Sequence, residues 1–218
     1  MTESSSSLLC VVLDLNPLAW GLKTVLEAKH AQESGKQQAK PETIVQGIDA
    51  VLTFINSYLL MTHGNQVAVV GVHPKKTGEK NSKSKITKRS EFLFPTDAQN
   101  ADTATAAQVN QSVATKFRQL LSDPDFFDLE ETEKSASSRL AAGLAKALCY
   151  INRQKKKNNL NARCLVVKCG MDTLSNQYLA LINGAFAAQE MDVSIDAVVL
   201  DRDGNNAALQ QVFEVFDS

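Results

Sequence analysis

A chain of 218 residues, 44% of them hydrophobic, has apolar material for one sizeable core and too little length for an array of domains. Its 23 basic and 24 acidic side chains leave a net charge of −1, which excludes a global field drawing the protein to nucleic acid or to an anionic membrane. No run approaches the roughly 20 apolar residues of a bilayer span, and Thr2 to Ser7 lacks the basic start and apolar run of a signal peptide, so a soluble intracellular protein is expected.

The first predicted element is a strand over 8–13 (LLCVVL), short, apolar and rich in valine. After a polar insertion at 31–41, residues 43–61 carry Ile44, Val45, Ile48, Val51, Leu52, Ile55 and Leu59 on one helical stripe. A second strand is predicted at 67–72 (VAVVGV), and Glu91 to Phe94 reads as a short edge strand paired with it across the insertion at 74–90. Beyond a further insertion at 95–105, helices are predicted over 110–121 and over 138–152, the latter carrying Leu140, Leu144, Leu148 and Ile151. Gly143 within that helix is expected to permit close packing. A strand at 163–168 (RCLVVK), a helix at 174–189, a strand at 195–200 (IDAVVL) and a helix from about Ala207 complete the order. The valine-rich runs have the pattern of strands buried on both faces. Their alternation with helices predicts an α/β fold, a doubly wound and mostly parallel sheet with one antiparallel edge and helices on both faces, formed by a single domain over 1–218. No internal repeat of 20–50 residues suggests a solenoid. Cysteines 10, 149, 164 and 169 lie in apolar stretches without a CxxC pair and read as reduced core thiols, with Cys164 and Cys169 on opposite faces of their strand.

In such a sheet ligands gather beyond the carboxyl ends of the strands, where the strand order reverses. The first strand delivers Asp14-Leu15-Asn16-Pro17-Leu18 to that edge, followed by Trp20-Gly21. This resembles the DxSxS loop of metal-binding von Willebrand A domains, where an Asp and two hydroxyls hold Mg²⁺ with a Thr and a second Asp from later loops. A hard cation needs those oxygens. Here Asp14 fills the first place, Asn16 and Leu18 replace the two serines, and Lys168-Cys169-Gly170 replaces Thr-Asp-Gly. Asp172 lies two positions too far on, and Ser137 or Ser138 is the candidate for the Thr. The expectation is a vestigial site at Asp14, Asn16, Leu18 and Gly170 in which Asp14 and Asn16 hydrogen-bond neighbouring amides and shape the loop.

Two active readings compete with this one: a metal-dependent ligand-binding A domain, and an aspartate-nucleophile phosphatase of the haloacid-dehalogenase type. The second requires DxD, and Asn16 cannot move a proton as a carboxyl does. Asp201 and Asp203 are more simply a solvated turn and helix cap. His30, His63 and His73 have no metal or triad spacing, and no Gly-rich phosphate loop follows a strand. The basic loop Lys75 to Arg89, without aromatics for stacking, is expected to be solvated rather than to contact DNA, and the acidic run from Asp123 to Glu133 is its opposite.

Several stretches together resemble the smaller A-domain subunit of the transcription and DNA-repair factor TFIIH: VVLDLNPLAWG at 11–21, IDAVLTFINSYLLM at 48–61, LAAGLAKALCYINR at 140–153, INGAFAAQ at 182–189 and IDAVVLDRD at 195–203. The resemblance implies a non-catalytic scaffold in the nucleus, acting in transcription initiation and nucleotide excision repair, with no cofactor in this stretch. It implies a main partner in the larger A-domain subunit, through that subunit's cysteine-rich zinc-binding domain, and contacts with other core subunits. It also implies that the last strand of the A domain and a C-terminal zinc-binding module follow Ser218. The Lys-rich insertion exceeds the family pattern and reads as lineage-specific decoration. Trp20 is the first candidate contact, with either a core pocket or a partner to fill. Lys146, Tyr150 and Arg153, on the expected exposed side of their helix, are the next.

Overall fold

The computed structural model of the chain describes residues 6–33, 43–73, 90–95, 104–122, 139–158, 160–170 and 175–200. Five strands, β1 (Ser7–Asp14), β2 (Gln66–Val72), β3 (Ser90–Phe94), β4 (Asn161–Cys169) and β5 (Val193–Leu200), form one sheet in the order β3-β2-β1-β4-β5. β3 runs antiparallel to β2, and the other neighbours are parallel. β1 is central, with Leu8 to Asp14 all buried, because its branched and apolar side chains have a packed layer to enter on either side.

The helices are α1 (Pro17–Glu33), α2 (Ile44–Met61), α3 (Ala106–Leu121), α4 (Leu140–Asn158) and α5 (Tyr178–Glu190), the last preceded by a 3₁₀ turn at Ser175–Gln177. Alternation along β1 divides the core in two. Leu8, Cys10 and Val12 meet Leu144, Ala147 and Ile151 of α4 and Leu181 and Ala185 of α5. Leu9, Val11 and Leu13 meet Ile48 and Ile55 of α2 and Val109, Val113 and Phe117 of α3. α2 and α3 both start on a capping box, Thr43 with Gln46 and Thr105 with Gln108, which satisfies amides that a helix start leaves unpaired. Gly143 lets α4 lie close to the sheet: a Cβ there would meet Val72 Cγ2 at 2.2 Å and Val12 Cγ1 at 2.9 Å.

Three features depart from expectation. Asn16 to Gly21 is not a loop; a helix starts at Pro17, where a missing N–H costs nothing, and it runs through Ala31–Glu33 of the expected insertion. β5 is not buried on both faces: it is the last described strand on its side of the sheet, and Val198 is 44% exposed. α2 is long and apolar enough, by length and composition alone, to cross a bilayer. Its Ile48 and Ile55 are built into the core against the sheet. The expectations for 74–89, 96–103, 123–138 and 201–218 lie outside the described residues.

Candidate functional site

The strand order reverses at β1, which has β2 on one side and β4 on the other, so the crevice beyond Asp14 and Cys169 is the place for a ligand. Asp14, the last residue of β1, is 1% exposed. Its Oδ1 accepts the amide of Asn16 at 3.0 Å, and Asn16 Oδ1 in turn accepts the amide of Leu18 at 3.1 Å. Asn16 thereby caps the first turn of α1, and its carbonyl receives the amide of Trp20 at 3.2 Å. The amide of Leu15 donates to the carbonyl of Val72 at 2.7 Å, tying the turn to the end of β2. The structure thus gives both polar side chains the loop-shaping bonds expected of them.

Trp20 completes this turn. Its Nε1 donates to the carbonyl of Asp14 at 2.9 Å, and its ring lies on Gly47 of α2, where a Cβ would come within 2.1 Å of the indole. At 3% exposure it fills the core pocket, one of the two places expected for it, and presents no side-chain surface outward. Sequence periodicity missed its helical setting because the apolar positions of α1, Leu18, Leu22, Val25 and Leu26, are 43% to 59% exposed rather than turned to the core.

On the facing strand Lys168 is completely buried, and its Nζ donates to the carbonyl of Gly170. Gly170 has a φ of 85°, which favours glycine, and a Cβ there would approach the Ala19 methyl to 2.9 Å. The β4 turn is therefore pressed against the start of α1. Leu18, 51% exposed, offers no oxygen, and Cys169 stands where the resemblance calls for a carboxylate. Among the described residues no group of three or more His, Cys, Asp or Glu side chains is placed to hold a metal. Asp172, Ser137 and Ser138, and likewise Asp201, Asp203 and the Lys75–Arg89 loop, lie outside the described residues.

The candidates on α4 fare differently. Tyr150 is not on an exposed face: it is 6% exposed and belongs to the core under α4, with its ring 5.3 Å from that of Phe92. The buried stripe of α4 is wider than the leucine spacing suggests, because the helix spans β1, β2, β3 and β4 and packs on α5. Lys146 is half-buried; its Nζ donates to the carbonyl of Ser90 at 2.8 Å and sits 4.9 Å from the centre of the Phe92 ring, so it clamps the edge strand. Arg153 is exposed as expected. His63 is exposed in the turn after α2, and His73 is half-buried after β2. Cys10 and Cys164, register partners on β1 and β4, are buried, whereas Cys149 is exposed, contrary to its expected place in the core. Burial pushes the Cys164 thiol up to about 12, with the Asp196 carboxylate adding to the effect. Burial, and then Cys164, also hold the Cys10 thiol well above its ordinary value.

A further feature was not anticipated. A groove of about 290 Å³ runs between α2 and the β4–β5 edge, with Gly47, Val51, Phe54, Val167, Val198 and Leu200 on its walls. The same apolar runs that announce strands and a helix make it, and sequence does not show which of their faces stays uncovered.

The strand order and the single antiparallel edge define a doubly wound, mostly parallel α/β domain whose central strand closes on a carboxylate. The chain belongs to the Tfb4 family: the model described as transcription factor Tfb4 matches residues 6–216. It is 26% identical to the general transcription and DNA repair factor IIH subunit TFB4 of Saccharomyces cerevisiae, over 97% of this chain and 62% of that protein. It is 27% identical to the subunit of that name from Arabidopsis thaliana, over 94% of this chain and 61% of the relative. The chain thus spans about three fifths of the length of these relatives. In fold it is similar to the crystal structure of the TFIIH p34 N-terminal domain, with a TM-score of 0.72 and 21% identity over 99% of this chain and 90% of that one.

Proposed function

We propose that the chain is the A-type domain of a TFIIH subunit and serves as a non-catalytic scaffold in transcription initiation by RNA polymerase II and in nucleotide excision repair. Membership of the Tfb4 family supports the assignment to the complex, and with it a nuclear location. The observation that carries the scaffold role is the crevice itself. Asp14 and Asn16 are occupied in holding the backbone of the turn, Leu18 has no ligand atom, and an ammonium is buried beside them on β4. A nucleophilic carboxylate needs an open approach and a proton donor two residues on; Asn16 supplies no such proton. Mg²⁺ needs several oxygens, and Leu18 and Cys169 supply none.

The partner of this reading is the larger A-domain subunit, engaged through its cysteine-rich zinc-binding domain, with other core subunits beside it. This reading assigns no zinc to these residues and places it in a module outside them. In this reading the lysine-rich segment from Lys75 to Arg89 makes no required contact with DNA. Co-expression of the chain with the partner's cysteine-rich domain, followed by affinity purification at 0.3 M NaCl, tests the proposal. Co-purification is the expected result; a chain recovered alone and folded would overturn it.

A further inference from the structure

Helix α1 is turned inside out. Lys23 and Glu27, which pair with each other, share by their spacing the face of the buried Trp20, and their side chains are only 13% and 27% exposed. The apolar residues Leu18, Leu22, Val25 and Leu26 point the other way, into solvent. From Pro17 to Lys29 the exposed positions are 18, 21, 22, 25, 26 and 29, a single stripe at helical spacing that carries no charge before Lys29. Lone surface leucines are ordinary, whereas a contiguous apolar stripe marks a contact surface. Leu18, Gly21, Leu22 and Val25 stand at i, i+3, i+4 and i+7, the four corners of a hole that takes one side chain of a second helix. Gly21 leaves the floor of that hole open, since a Cβ there would meet nothing within 4 Å.

We propose that this stripe seats an amphipathic helix of another subunit, which lays one large apolar side chain over Gly21 and sets a carboxylate opposite Lys29. Charge decides against a second copy of the chain as the occupant. Two copies with parallel α1 helices would bring Lys29 against Lys29, and two antiparallel copies centred on Leu22 would bring Lys29 to the positive start of the other helix. Area decides the same way: from Leu18 to Leu26 the stripe is about 12 Å long and one helix wide, well short of the roughly 800 Å² per partner that a stable dimer buries. A single helix with a carboxylate at the Lys29 end meets neither objection. The inference rests on the proposed membership of a multi-subunit complex, and it names a surface and a partner chemistry within it.

The test replaces Leu22 by the photo-crosslinking residue p-benzoylphenylalanine in the chain co-expressed and purified with the other TFIIH core subunits. Irradiation should join position 22 to a helical stretch of another subunit that carries apolar residues at i, i+3 or i+4 and i+7, with an Asp or Glu towards Lys29. A complex that assembles but gives a link to a second copy, to the chain itself, to a segment that is not helical, or to nothing, would overturn the inference and leave the scaffold reading standing. Failure of the unaltered chain to assemble would overturn both. A second variant checks that the stripe is solvated in the isolated chain: Leu22→Glu should keep the thermal midpoint within about 2 °C while weakening assembly roughly tenfold or more. A midpoint lowered by much more than that would show that the stripe packs within the chain, and unchanged assembly would show that no partner covers it; either result rejects the proposal.

Discussion

Trp20 joins three elements with one side chain. Its N–H holds the last carbonyl of β1, its backbone lies in the first turn of α1, and its ring covers Gly47 of α2. Trp20→Ala therefore removes a large buried volume and a buried hydrogen bond together, and should cost about 3–5 kcal/mol in urea unfolding. A loss under 1 kcal/mol would mean that the pocket is not filled as described. Cys164 gives a second prediction at this scale, through pH. Its folded value of about 12 lies above the ordinary 9.0 of the unfolded chain. The neutral thiol's contribution is therefore complete below pH 9 and is lost as pH rises towards 12. Between pH 8 and 10.5 the protein should lose about 2 kcal/mol more than a Cys164→Val variant does. Equal losses would show that the thiol ionises freely.

Elements were legible where packing is two-sided and obscure where it is not. The runs at 8–13, 67–72 and 163–168 announce β1, β2 and β4 because a buried parallel strand can be little else than a short branched apolar run. Phe92 and Phe94 mark the antiparallel edge, and the leucine spacing of 140–151 marks α4. α1 escaped because its apolar residues face outward, and the exposure of β5 escaped because an apolar run does not reveal its neighbours. Two helix glycines separate intrinsic propensity from packing. At Gly21 a Cβ would meet nothing within 4 Å, so Gly21→Ala should raise stability by up to about 1 kcal/mol. At Gly143 the same gain is outweighed by collision with Val72 and Val12, and Gly143→Ala should lower stability by about 1–2 kcal/mol. Changes of the same sign in the thermal midpoints of the two variants would contradict this account of how α4 packs.

For the molecule as a whole, the sequence shows which residues stand at the crevice, since Asn16, Leu18 and Cys169 are read directly from it. What replaces them depends on tertiary structure. The burial of Lys168, the inward turn of Trp20 and the core position of Tyr150 follow from which elements happen to cover each face. With Trp20 and Tyr150 turned inward, neither ring is offered as a contact; of the other two candidates Lys146 is half-buried and Arg153 is exposed. On the proposed function the chain binds its partner through a surface that needs no divalent ion. Calorimetric titration of the chain with the cysteine-rich domain of the larger TFIIH A-domain subunit tests it most directly, with that domain's zinc kept bound and Mg²⁺ either absent or in excess. The expected result is the same Kd within about twofold in the two conditions, since a tenfold change would correspond to about 1.4 kcal/mol of metal-linked binding. A tenfold tightening with Mg²⁺ that disappears in Asp14→Ala would contradict it and make Asp14 a working ligand.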